Sequence, residues 1–128
     1  MIRVLFDKNV PYKLRSYLRN CEIDTAEDLG WGQLSNGELM LLAERTGHEL
    51  LLTADQSLEY QQNLTERKIS LIVLGSNLWP GVRTKIDDIV TAVARVRPGS
   101  FEFIEIPHLP RRRQLPGAGR LTDALKSS

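Results

Sequence analysis

Glu49-Leu50-Leu51-Leu52-Thr53-Ala54-Asp55 is the stretch whose reading decides the fold. Leu50 to Thr53 is a short, unbroken apolar run closed by a β-branched residue, set between Gly47 and an acid. That length and those boundaries read as a strand and not as a helix. The same pattern stands at Ile2-Arg3-Val4-Leu5-Phe6, closed by Asp7, and at Ile69-Ser70-Leu71-Ile72-Val73-Leu74, broken by Gly75-Ser76-Asn77. Between and around these runs the period changes. Leu14, Tyr17 and Leu18 share one face of a helix entered at Pro11, with Asn9 as its cap. Ser35-Asn36-Gly37-Glu38 has the form of a capping box that opens a helix to about Thr46, stopped by Gly47. Residues 58–66 read as helix. Val82, Ile86, Ile89, Val90, Val93 and Val96 lie at helical spacing over residues 82–96. Residues 22–26 form a weaker strand candidate, and Gly30-Trp31-Gly32-Gln33 a turn. After the turn Pro98-Gly99-Ser100, residues 101–106 alternate Phe and Glu, a strand with one side toward water.

The order is β-α-β-α-β-α-β-α-β. Strict alternation predicts an α/β fold, a mostly parallel sheet of about five strands with helices on both faces. Residues 1–106 make one domain. Residues 107–128, with three prolines, two glycines and Arg111, Arg112 and Arg113, read as a basic extension without a core. No internal repeat is present.

With 128 residues, 41% hydrophobic and 26% charged, the chain has the composition of a soluble globular domain. Its formal net charge is +1, but unevenly placed. Arg111, Arg112, Arg113, Arg120 and Lys126 against Asp123 give residues 107–128 a net +4, which leaves −3 on residues 1–106. An acidic body with a basic arm suits a cation site beside a surface that attracts nucleic acid, and equally a solvated tail. Cys21 is the single cysteine, so no internal disulfide forms, and with His48 and His108 it makes no zinc spacing. Its plainest role is that of a small buried side chain. A reducing, cytoplasmic setting is expected. The N-terminus opens on a strand pattern, so no signal peptide is expected, and no apolar run reaches the roughly 18 residues of a membrane span.

Three acids stand where strands give way to helices or at a helix start: Asp7, Glu38 and Asp55. In an open α/β sheet the carboxyl ends of the strands line the ligand crevice. Carboxylates gathered there repel unless a cation lies between them. Mg²⁺ and Mn²⁺ take oxygen ligands, often one or two carboxylates with several waters, and serve phosphoryl chemistry. Each acid also has a plain structural explanation. Asp7 can cap the turn after its strand. Glu38 fits the capping box by itself. Asp55 as an N-cap would stabilise a helix by about 0.5–2 kcal/mol. Asn9 and Gln56 could orient substrate or water, and Thr53 and Ser57 could bind water around an ion. Glu59 lies four residues past Asp55. Tyr60-Gln61-Gln62-Asn63 offers amides for phosphate or sugar, and Lys8, Lys13, Arg15 and Arg19 a basic face. Both patterns are also ordinary helix surface.

Three segments carry a resemblance to a known family. Leu5-Phe6-Asp7-Lys8-Asn9-Val10-Pro11, Leu34-Ser35-Asn36-Gly37-Glu38-Leu39 and Leu52-Thr53-Ala54-Asp55-Gln56-Ser57-Leu58 look like the signatures of PIN-like proteins, nearest a small bacterial branch catalogued as a domain of unknown function. The motifs cover residues 1–75, and the architecture extends the likeness to residue 106. The resemblance implies a PIN-like three-layer α/β/α sandwich and an Mg²⁺- or Mn²⁺-dependent endoribonuclease with Asp7, Glu38 and Asp55 as catalytic, metal-holding residues. Asn9, Thr53, Gln56 and Ser57 become positioning groups. The fourth family position is often Asp or Asn, and here Ser57 stands at it. RNA as substrate follows, as do a toxin–antitoxin role with an antitoxin protein as partner and, from relatives that often dimerise, a homodimer. No dimer signature is legible in the residues.

Two other classes fit parts of the pattern. A catalytically impaired PIN-like module that binds nucleic acid or a protein partner would explain Ser57. A phosphoacceptor receiver domain would share the alternating order, with Asp55 as acceptor and Ser76 after the fourth strand. That fold needs an acidic pair after its first strand and a lysine after its fifth. Here Asp7 stands alone before Lys8, and Pro107-His108-Leu109-Pro110 follows the last strand.

Overall fold

The computed structural model describes residues 1–57 and 67–109. The strands are β1 (Ile2–Phe6), β2 (Cys21–Thr25), β3 (Leu50–Thr53), β4 (Ser70–Leu74) and β5 (Phe101–Ile104). A 3-10 helix spans Tyr12–Tyr17, and α-helices are α1 (Asn36–Arg45), α2 (Trp79–Arg83) and α3 (Ile86–Ala94). The expected helix at 58–66, Glu59, the amides at 60–63 and the arginines of the extension lie outside the described residues.

All five strands are parallel, in the order β2-β1-β3-β4-β5. The expected α/β sandwich is therefore present. Strand alternation sorts the core into two layers. Val4, Phe6, Leu50, Leu52, Ile72, Leu74 and Ile104 face one side, where Leu14 and Leu18 of the first connection meet Val82, Ile89, Ala92 and Val93 of α2 and α3. Leu5, Leu51, Leu71 and Val73 face the other side, under Leu39, Met40 and Ala43 of α1. Every residue of β3 and β4 is buried, as parallel strands covered on both faces must be.

The face assignments fix the relative hand of three crossovers. The β1–β2 connection and the β4–β5 connection lie on the same face, yet they move along the sheet in opposite directions. The β2–β3 connection moves oppositely to β1–β2 and lies on the opposite face, so those two share a hand. The β4–β5 crossover has the other one. Such units are right-handed in about 98% of cases, so one of the two hands used here is the rare one.

Several boundaries differ from the pattern read in the sequence, each with a local cause. The helix read across residues 82–96 is two helices. Thr84 donates its hydroxyl to Gly81 O at 2.7 Å, and Lys85 N bonds Val82 O at 2.9 Å, which tightens the turn and ends α2. α2 starts at Trp79, three residues before the apolar repeat begins at Val82, with Pro80 in its first turn. β5 ends at Ile104 because the chain turns inward to place Ile106 against Gly81. Its phenylalanines are the wetter side: Phe101 and Phe103 are 41% and 46% exposed. They share the α1 face, whereas the β4–β5 connection covers the opposite one.

The capping box of α1 forms as read, with Ser35 and Glu38 bonded reciprocally. At the other end Gly47 adopts φ +88°, His48 N reaches Ala43 O at 3.0 Å and Gly47 N reaches Glu44 O at 3.2 Å, a Schellman termination. His48, buried, then ties α1 to β2. Its Nε2 lies 2.8 Å from Asp24 Oδ2, and its Nδ1 faces Thr46 Oγ1 and Ala43 O. Cys21 is partly buried and free, and desolvation raises its thiol above the ordinary range. Among the described residues no helix is long and apolar enough to cross a membrane.

Candidate functional site

The chain leaves β1 toward β2 on one side and reaches β4 from β3 on the other. The strand order therefore reverses between β1 and β3, the point at which an open α/β sheet offers a ligand crevice beyond the carboxyl ends of its strands. Asp7 is the first residue past β1. Its amide donates to Leu52 O at 2.9 Å, which prolongs the β1–β3 pairing by one step and holds the residue between the strand ends. The side chain is buried, with 8% of the residue exposed. A carboxylate so placed needs donors, and it has them. Thr53 Oγ1 donates to Asp7 Oδ2 at 2.7 Å, and Lys8 N donates to Oδ1 at 2.7 Å.

Thr53 is fully buried at the end of β3 and serves both acids. The hydroxyl that donates to Asp7 accepts from Asp55 N at 2.9 Å. Asp55 is thereby placed across the strand ends from Asp7. Its Oδ1 accepts from Ser57 N at 2.9 Å, and its Oδ2 accepts from Asn36 Nδ2 at 3.2 Å. Asn9 closes the base, taking Ala54 N on its Oδ1 at 3.1 Å. Gln56 reaches outward and donates to Gly75 O at 3.0 Å, which joins the loop after β3 to the end of β4.

The structure thus brings together Asp7, Asn9, Thr53, Asp55 and Ser57, with Gln56 at the rim. Glu38 is engaged elsewhere. Its Oε1 accepts from Ser35 N at 3.0 Å and from Ser35 Oγ at 3.1 Å. The Ser35 backbone hydrogen bond first, and the Ser35 hydroxyl second, hold its carboxyl below the ordinary range. Among the described residues no three or more His, Cys, Asp and Glu side chains form a group placed to hold a metal ion. Asn36 is the member that sequence reasoning missed. It was visible only as the second residue of the capping box; its signal is an amide at the helix start, on the side of the helix end that meets the strand ends.

The donor set is chemically suited to one hard cation. Asp7 and Asp55 offer carboxylate oxygens from two strand ends, each positioned by hydrogen bonds. Mg²⁺ commonly needs one or two carboxylates and keeps several waters. No protein-family model, curated protein or solved structure matches the chain.

Proposed function

We propose that the chain is an Mg²⁺- or Mn²⁺-dependent endoribonuclease with its site at the β1/β3 switch point. The observation that carries this reading is the Asp7–Thr53–Asp55 constellation, two carboxylates from separate strands positioned by one buried hydroxyl at the crevice of a parallel sheet. A divalent ion at such a site supplies charge neutralisation for a phosphodiester and a more acidic water. The protein's own part is positional. Asp7 and Asp55 would hold the ion. Thr53 fixes both acids relative to each other, Asn36 and the Ser57 amide orient Asp55, and Asn9 keeps the two strand ends in register. Glu38 supports the reading as the residue that secures the start of α1, and so Asn36. RNA is the substrate class that the motif resemblance adds, and with it a toxin role, an antitoxin partner and dimerisation.

The competing reading, a nucleic-acid- or protein-binding module without catalysis, is favoured by the engagement of Glu38 in its cap and by a hydroxyl at Ser57. The two part on one experiment. With Mn²⁺ and a single-stranded RNA, wild-type protein should cleave, Asp7→Asn and Asp55→Asn should each lose at least about tenfold to a hundredfold of the rate, as for removal of a group that stabilises the transition state, and Glu38→Gln should stay near wild type. Absence of Mn²⁺-dependent cleavage in the wild type would leave the binding module standing. Equal cleavage by all four proteins would assign the activity to a contaminant.

A further inference from the structure

We infer that the exposed face of the 3-10 helix, together with Trp79, is a platform for unpaired nucleobases and so binds single-stranded nucleic acid. It deepens the nuclease reading, on which it rests only for where the scissile bond lies. Two independent features meet there. The first is charge. Residues 8–20 contain Lys8, Lys13, Arg15 and Arg19 and no acid, within a body, residues 1–106, whose net charge is −3. The second is aromatic surface. Three of the chain's eight aromatic residues belong to this surface: Tyr12 and Tyr17 on the 3-10 helix, and Trp79 against Tyr17.

Their geometry is that of a stacking surface backed by cations. Tyr12 is 63% exposed, and the Arg15 guanidinium lies over one face of its ring at 4.4 Å from the centroid. Arg15 also donates to the Tyr12 hydroxyl, so the ring is held while its other face meets solvent. Trp79 packs one side against the core, with Lys13 Nζ 5.8 Å from its ring centroid and the Tyr17 ring at 6.1 Å. Leu14 and Leu18 anchor the 3-10 helix in the core, and Pro11 fixes its entry, so the rings are presented by a rigid element. The surface runs back along the sheet from the site: Tyr12 follows Asp7 by five residues past the carboxyl end of β1, and Tyr17, beside Trp79, lies with Ile2 and Cys21 at the amino ends of the strands. Flat rings beside ammonium and guanidinium groups match a base next to a phosphate, and a base is available for stacking only when unpaired.

The test is fluorescence anisotropy on the full chain in EDTA, so that no cleavage intervenes, with labelled oligouridine and oligothymidine of about ten nucleotides, within the usual site size, and a duplex of equal length. Single strands should bind more tightly than duplex. Tyr12→Ala should weaken single-strand binding by about tenfold or more, the loss expected for one stacked base. Tyr12→Phe should restore it, and duplex binding should not change. Lys13→Gln should flatten the dependence of log K on log salt by about 0.7, one phosphate contact. Tight binding of both oligonucleotides supports the platform with stacking as the common element. Binding of oligouridine alone also supports it and adds a 2′-hydroxyl contact. Single-strand affinity unchanged in Tyr12→Ala, in a protein shown folded by circular dichroism, would overturn it, as would a wild-type preference for duplex. Tyr12-dependent binding without Mn²⁺-dependent cleavage would instead remove the nuclease reading and leave the platform.

Discussion

Thr53 shows how a neutral side chain can organise two charged ones. Its single hydroxyl donates to Asp7 and accepts from the Asp55 amide, so the two acids cannot be displaced independently. Glu38 is the opposite case, a charged residue whose role is local. Its lowered carboxyl, caused chiefly by the Ser35 amide, gives a test by pH. A carboxyl lowered in the folded state stabilises the fold above its unfolded value, 4.5, and that contribution is lost as pH falls through the lower folded value. Glu38→Gln keeps an oxygen for the cap but no charge. Urea unfolding of the two proteins should show wild type ahead at neutral pH and the difference closing below about pH 4.5; a constant difference down to pH 3 or so would contradict the assignment. At this scale Asp7, Asp55 and Asn9 were legible because each ends or follows a strand, which is a local signal. The bridging by Thr53 and the contact of Asn36 were not, because both depend on β1 lying beside β3, a lateral fact that no run of neighbouring residues encodes.

Elements were legible wherever one period held. β1, β3, β4 and α1 stand within a residue or two of their expected ends. The first connection is the instructive difference, a 3-10 helix where the Leu14, Tyr17, Leu18 spacing reads as an ordinary helix. Because β2 is parallel to β1, residues 7–20 must return the full length of the strand before Cys21 can pair with Ile2. A 3-10 helix rises about 2.0 Å per residue against 1.5 Å for an α-helix, and so covers that distance with fewer residues. The α2–α3 break follows from Thr84 and from the need to seat the chain after β5. Gly81 makes that seating possible. A Cβ there would stand 2.3 Å from Pro107 O and 2.8 Å from Ile106 Cγ2. The first of these is backbone and cannot step aside cheaply. Gly81→Ala should therefore destabilise by about 1–3 kcal/mol, despite its gain in helix propensity. A midpoint in urea equal to or above that of wild type would show that Pro107 yields.

The whole molecule is a sheet whose middle and margins differ. β1, β3 and β4 each have a strand on both sides, whereas β2 and β5 have one. Amide hydrogen exchange should follow that division. Amides of Leu5, Leu51, Leu52, Ile72 and Val73 should exchange only with global unfolding, and those of β5, joined by the crossover of opposite hand, through a smaller opening. Equal protection across β4 and β5 would argue that the last crossover folds as one unit with the centre. The parallel α/β class was readable from the alternation alone. The order 2-1-3-4-5 and the hand of the β4–β5 unit were not, since both arise from which face each connection can cover.

Both margins carry features that discourage another chain from pairing there. β5 is four residues long, holds Glu102 in an ion pair with Arg95, and is followed by Glu105 and Pro107. β2 carries Glu22 and Asp24, both within ion-pair distance of Arg3. Short strands, charge and proline are the means by which sheet ends resist extension by another molecule. Growth of this sheet from copy to copy, and the fibrous association it leads to, is therefore opposed at both ends, so two copies that met in solution would have to meet through helices or through the faces of the sheet.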